Sequence, residues 1–193
     1  NYAGVQWAYG NLLIRQGKAE EGFKLVAKAA ESNDEYSRNA AIIALQIFDG
    51  DGAQVRRALG DTEVTNAALA TTLAGQERFE EAVEAWSKLP GDNRTEKIKK
   101  IGEDLSARLL SAKKFRLASR LTADLQTNGV DKPAIEKIAN GGFETPIKLR
   151  GAGAFEWQIA EGVEPQIGQS ETQKRSGGFG LFLLFNSFET AAF

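Results

Sequence analysis

With 193 residues, 42% of them apolar and 26% charged, the chain holds enough apolar material for one core and is marginal for two domains; its formal charge of −2 offers no global attraction for nucleic acid or an anionic membrane. The absence of Cys, His and Met excludes Ser-His-Asp and Cys-His nucleophilic catalysis, zinc sites of the Cys/His kind and structural disulfides. No apolar run reaches the roughly 20 residues that a membrane-spanning helix requires, and a cysteine-free chain leaves the redox compartment open.

In chain order, the first segment is helical by periodicity. Val5, Tyr9, Leu12 and Leu13 keep helical spacing, and so do Phe23, Val26, Ala27 and Ala30, with Gly17 as the stop between the two runs. Two short helices joined by a tight turn make a helical hairpin. The pattern then recurs. Ala41, Ile42, Leu45 and Phe48 precede the break DGDG, after which Val55, Ala58 and Leu59 resume. Val64, Ala68, Leu69 and Leu73 run to Gly75, followed by Phe79, Ala82, Val83 and Trp86 and a stop at Pro90-Gly91. Ile98, Ile101, Leu105 and Leu109 are followed by Phe115, Ala118, Leu121 and Leu125. The spacing predicts four hairpins. Taking Ala19, Ala53, Phe79 and Phe115 as equivalent points gives intervals of 34, 26 and 36 residues, the range of stacked helical-hairpin arrays. A last helix is expected over VDKPAIEKIAN, with Asp131 as N-cap and Pro133 in its first turn, capping the array.

After Asn140 the pattern changes. NGG stops the helix, and Phe155, Trp157 and Ile159 alternate with Glu156 and Gln158 as in a half-buried strand. VEPQI reads as a second strand or an edge, given Pro165, and FGLFLLF, apolar on both faces, reads as a central strand. The expected fold is therefore mainly α over residues 1–139, followed by a short antiparallel β segment over 140–193 that is too small to complete a sandwich. Asn1 is no initiator, and the chain closes on FNSFETAAF. Both are features expected of a processed form or an excised piece.

RFEEAVEAWSKLP and GKAEEGFKLVAKA resemble second helices of tetratricopeptide repeats, with Ala82 and Gly22 at the small-residue position, Ala118 in the same place, and Gly10 as the small residue of a first helix. Over residues 2 to 128 the resemblance implies a superhelix whose first helices form a surface for a peptide or a partner domain. NGGFE, FEWQI and SGGFGLFLLF resemble the opening of a jelly roll of the carbohydrate-binding-module type. That resemblance implies glycan contact through the second module and a bacterial cell-envelope or exopolysaccharide setting, with a periplasmic or envelope location favoured over the cytoplasm.

The candidate residues each have a plainer use. Trp157 and Phe155 form either an aromatic platform for a sugar ring or, as is commoner, core packing on one strand face. Glu144 is either part of a calcium site or a turn-bonded carboxylate; one acid is too few for a hard cation, and no metal or cofactor is expected. NGGF follows a helix and precedes a presumed strand, the reverse of a phosphate-cradling loop. The stretch from Arg94 to Arg120 is rich in cations, and Lys97, Lys100, Asp104 and Arg108 share one helix stripe. Such a stripe attracts an acidic peptide or anionic polysaccharide, or is simply solvated. Without interleaved aromatics it is a poor nucleic-acid surface. No pair of acids is set apart for hydrolysis, so the chain reads as a non-enzymatic interaction scaffold, with carbohydrate binding as the alternative; a glycan-acting enzyme requires chemistry supplied by further sequence. An uncovered FGLFLLF strand predicts a homodimer contact through the β segment.

Overall fold

The computed structural model describes residues 2–91, 94–125, 138–148, 150–159 and 165–185. Among these there are eight α-helices and two β-strands, so the protein is mainly helical with a small antiparallel sheet near its C-terminus. The chain divides into two compact units, Asn1–Thr127 and Asn128–Phe193.

In the first unit the helices come in pairs: α1 (Tyr2–Arg15) with α2 (Ala19–Ser32), α3 (Asp34–Ile47) with α4 (Gly52–Leu59), α5 (Glu63–Gly75) with α6 (Phe79–Ser87), and α7 (Glu96–Ser111) with α8 (Phe115–Leu125). Side chains cap several starts by accepting backbone N–H groups, as the four orphan donors of a helix N-terminus require. Asn33 accepts from Glu35, Asp51 from Ala53 and Gln54, Thr62 from Thr65 and Thr95 from Ile98.

The turn inside every pair begins with the same closure. A buried leucine near the end of the first helix accepts a hydrogen bond from the amide five residues on: Lys18 to Leu13 at 3.0 Å, Gly50 to Leu45 at 2.7 Å, Arg78 to Leu73 at 3.0 Å and Lys114 to Leu109 at 2.8 Å. The residue before each donor is left-handed: Gly17, Asp49, Glu77 and Lys113. This is the closure that satisfies orphan carbonyls at a helix C-terminus while reversing the chain.

Packing then makes two rows. First helices touch first helices, α3 with α5 and α5 with α7; second helices touch second helices, α2 with α4 and α6 with α8. The small residues fall where close approach demands them. A Cβ on Gly10 would lie 2.8 Å from the carbonyl oxygen of Gly22, and one on Gly22 would lie 2.7 Å from that of Gly10. Ala82 and Ala118, at the corresponding positions of later second helices, are fully buried. Phe23, Val26, Leu69, Leu73, Trp86, Leu109 and Leu121 fill the core.

Two apolar stripes depart from expectation. In α1 the buried residues are Ala3, Gly10 and Leu13, whereas Tyr2, Val5, Tyr9 and Leu12 are exposed. Helical spacing made Val5 and Tyr9 core candidates, but α2 covers only the face carrying Gly10 and Leu13. Phe115, expected in the core of α8, is also exposed, whereas Phe79, which opens α6 at the equivalent place after the turn, is buried.

In the second unit, β1 (Gln166–Ser170) pairs with β2 (Gly180–Leu184), placing Gly168 opposite Phe182, whose ring covers it. VEPQI thus lies partly in a strand and FGLFLLF largely in one. FGLFLLF is not a central strand, however: its one partner among the described residues is β1, and Leu181, Leu183, Leu184 and Phe185 are exposed. FEWQI is no strand. Its alternation is overridden by a turn in which the Glu156 amide donates to the Gly153 carbonyl at 3.0 Å while the Glu156 carboxylate accepts from the Gly153 amide at 2.7 Å. NGGFETPI is no strand either, since Asn140 and Phe143 are left-handed and the Phe143 amide closes onto the Asn140 carbonyl at 3.0 Å. The expected helix over VDKPAIEKIAN lies, in residues 130–137, outside the described residues; residues 138–140 are not helical.

The shared turn makes opposite predictions for two exposed positions. Lys113→Gly removes a left-handed side chain and should stabilise the protein by about 0.5–1 kcal/mol, whereas Gly17→Ala should cost about 1 kcal/mol. Chemical denaturation followed by circular dichroism measures both, and equal signs would contradict the shared geometry.

Candidate groove on the first helices

A concavity of about 360 Å³ lies across the first-helix row. Its floor runs along α5 through Val64, Ala67, Ala68, Thr71 and Ala74. One wall is α7, contributing Ile98, Ile101 and Leu105 with Lys97, Lys100, Asp104 and Arg108 above them; the other is the first turn of α3, with Asp34, Ser37 and Arg38. The α7 residues follow from helical spacing, which places them on one face. The floor is open because α5 carries alanines and threonines where α7 carries longer side chains.

Lys97, Lys100 and Arg108 thus come together on one groove, but not in one state. Lys97 forms an ion pair with Asp34 of α3, which closes one end of the groove over α5. Lys100 and Arg108 make no ion pair or hydrogen bond among the described residues, although Asp104 lies one turn from each. Elsewhere in the basic stretch Lys113, Arg116 and Arg120 also form no side-chain ion pair or hydrogen bond among the described residues, while three other cations are engaged. Lys99 pairs with Glu96 at 2.7 Å and Lys114 with Glu80 at 3.3 Å. Arg94, counted with the basic face from sequence, is instead structural. Its side chain is 4% exposed, and its guanidinium stacks 4.7 Å from the centre of the Trp86 ring. It donates to the Asp124 carboxylate at 2.6 Å and to the Pro90 and Asp124 carbonyls at 2.8 Å each. The Trp86 indole donates to the same carboxylate at 2.7 Å.

Sequence reasoning missed the α3 and α5 contributions. Asp34, Ser37 and Arg38 do recur at helical spacing, and AALATTLAG is a run of small residues on a first helix. Those two signals mark the opposite wall and the floor.

Phe155 and Trp157 belong to the second unit. Trp157 stacks on Phe143 with ring centres 5.0 Å apart, and its indole N–H donates to the Asn140 carbonyl at 3.1 Å, leaving the side chain at the edge of exposure, 36%. Phe155 is half-buried and shares no strand face with it. Trp157 pins the Asn140 turn. That turn is further held by the Asn140 side chain, which donates to the Thr145 carbonyl at 2.7 Å and accepts from the Thr145 amide at 3.0 Å. The Gln169 amide of β1 completes the lattice, donating to the Phe143 and Thr145 carbonyls and accepting from the Ile147 amide at 2.7 Å. Glu144 accepts the Gly178 amide, so its carboxylate is turn-bonded. Among the described residues no cluster of three or more acidic side chains is arranged to hold a metal, and no helix is long and apolar enough to cross a membrane.

Against protein-family models, curated proteins and solved structures, the chain has no match in any of the three comparisons.

The second unit carries a pH signature. Lys148 donates to both oxygens of Glu156, at 2.7 and 3.0 Å, and with the Gly153 amide it holds this carboxyl below the ordinary glutamate value. The folded state therefore binds this proton less tightly than the unfolded chain, so the contribution is complete above the unfolded value and is lost as pH falls through the folded one. The Glu156 side-chain carboxyl resonance should titrate below 4.5, and Lys148→Ala should move its midpoint upward.

Proposed function

We propose that the helical unit is a non-enzymatic protein-interaction scaffold of the tetratricopeptide type, and that its groove across α3, α5 and α7 takes an extended segment of a partner protein. The observation that carries this reading is the groove itself. It is formed by first helices only, has a floor of small side chains, and is flanked by Lys100 and Arg108, whose side chains have no partner among the described residues. Support also comes from the repeated turn and the two-row packing, which is how an array of hairpins buries its core between neighbours. Main-chain groups of an extended segment fit a shallow alanine-lined floor, while charged walls select which segments bind.

Carbohydrate recognition by the second unit is the weaker reading. Trp157 has one ring face on Phe143 and its N–H on Asn140, so much of its surface is already committed to the fold.

The test is selection from a random peptide library on the intact protein. Thr71→Trp places a large ring on the groove floor and should abolish binding of the selected peptides at least tenfold. Lys28→Glu, on the exposed face of α2, should leave it unchanged. Circular dichroism checks that both variants stay folded. Peptides that bind Thr71→Trp as well as the parent would refute the assignment.

A further inference from the structure

The Lys97–Asp34 pair joins the first turns of two helices that are not neighbours in the row, reaching over α5 between them. Both side chains are well exposed, at 57% and 75%. An exposed pair of this kind holds its partners weakly. Asp34 has a second favourable position if it is released, since a carboxylate in the first turn of α3 is attracted by the positive end of the helix. Lys97, in the first turn of α7, is repelled by the same end of its own helix. Beyond it on α7 lie Lys100, Asp104 and Arg108, at successive turns of the same groove wall.

From these observations we infer that Asp34 is a built-in competitor, occupying Lys97 in place of a carboxylate of the bound segment, and that this segment carries acidic, basic and acidic side chains at alternate positions. The inference rests on the groove being a segment-binding site. Its geometric basis is simple. Lys100 and Arg108 are eight residues apart on a helix, about 12 Å at 1.5 Å per residue. An extended chain spans that distance in about four residues, and its side chains at every second position share one face. Two carboxylates four residues apart therefore meet the two cations, the first of them shared between Lys100 and Lys97 one turn before it, and the residue between them meets Asp104, where a third acid is repelled and a base is favoured. Residues at the intervening positions turn to the opposite side, away from the α7 wall, with the main chain lying over the α5 floor. The cation count agrees with this polarity: Arg38, Lys97, Lys100 and Arg108 face Asp34, Glu63 and Asp104, an excess of one positive charge that freeing Lys97 leaves unchanged while opening that cation to the segment.

The experiment uses fluorescein-labelled, amidated peptides, so that no terminal carboxylate takes part, and reads fluorescence polarisation at low and moderate salt. The probe is Ser-Glu-Leu-Lys-Leu-Glu-Ser; its controls are the charge-exchanged Ser-Lys-Leu-Glu-Leu-Lys-Ser and a version with Gln in place of Glu and Lys. The probe should bind more tightly than either control, with an advantage that shrinks as salt rises. Asp34→Asn should tighten probe binding roughly two- to fivefold, while Lys97→Ala and Arg108→Ala should each weaken it by a similar factor. Glu35→Gln removes the same charge one residue away, outside the groove lining, and should change binding little.

If Asp34→Asn and Lys97→Ala act in the same direction, the pair is only a brace and the competitor role is wrong. Equal effects of Asp34→Asn and Glu35→Gln would mean that only net charge matters. If the controls bind as well as the probe, and Thr71→Trp abolishes all of them, the groove reading survives and this inference fails. Binding by none of the peptides overturns this inference, and the library selection then decides the groove reading by itself.

Discussion

The helical unit depends on one repeated closure. In each of its four hairpins a buried leucine, Leu13, Leu45, Leu73 or Leu109, accepts the amide five residues on, across a left-handed residue. The hydrogen bond reverses the chain, while the leucine side chain anchors that reversal in the core. Because anchor and turn are linked, the second helix starts at a fixed distance from the core, and its small residues arrive opposite the first helix. Gly22 against Gly10 shows how tight this is: the backbones approach so closely that either Cβ would collide with a carbonyl. Only the α3–α4 pair departs, by adding the Asp51 cap before a shorter second helix.

That closure made the helical unit legible in the sequence. Ala19, Phe79 and Phe115, chosen as equivalent points, are the first residues of α2, α6 and α8, and Ala53 is the second residue of α4. What was not legible is which residue turns the chain. Gly17 announces itself, but Glu77 and Lys113 are left-handed with ordinary side chains, tolerated because the leucine anchor and the hydrogen bond outweigh a local penalty of about 1 kcal/mol. Periodicity likewise identifies an apolar stripe without saying whether a neighbour covers it. Tyr2, Val5, Tyr9 and Leu12 keep the helical spacing and remain exposed.

The second unit was read less well, for a different reason. Alternation in FEWQI is a strand signal only if a neighbouring strand takes up the backbone groups. Here Glu156 uses its own carboxylate to close a turn, and Trp157 is turned toward Asn140. Gln169 then does with one side chain what a paired strand would do with its backbone, serving two carbonyls and one amide of residues 143–147. Side-chain amides that replace a ladder leave no period in the sequence. FGLFLLF and the end of VEPQI kept the expected strand state, pairing with each other as β2 and β1.

The groove shows the same limits from the functional side. From sequence, the cations of the Arg94–Arg120 stretch look alike; in the fold they divide by what stands opposite them. Arg94 meets Trp86 and Asp124 and is absorbed into the structure, and Lys99 and Lys114 meet glutamates near them. Lys100 and Arg108 lie along a groove whose α5 side, beyond Glu63 at its start, offers Val64, Ala67, Ala68, Thr71 and Ala74, none of which carries a negative charge. The small residues that open the floor and the cations without partners among the described residues are thus two consequences of one choice of side chains on α5. A carboxylate-bearing residue at Ala68 or Thr71 would neutralise the wall and fill the groove together.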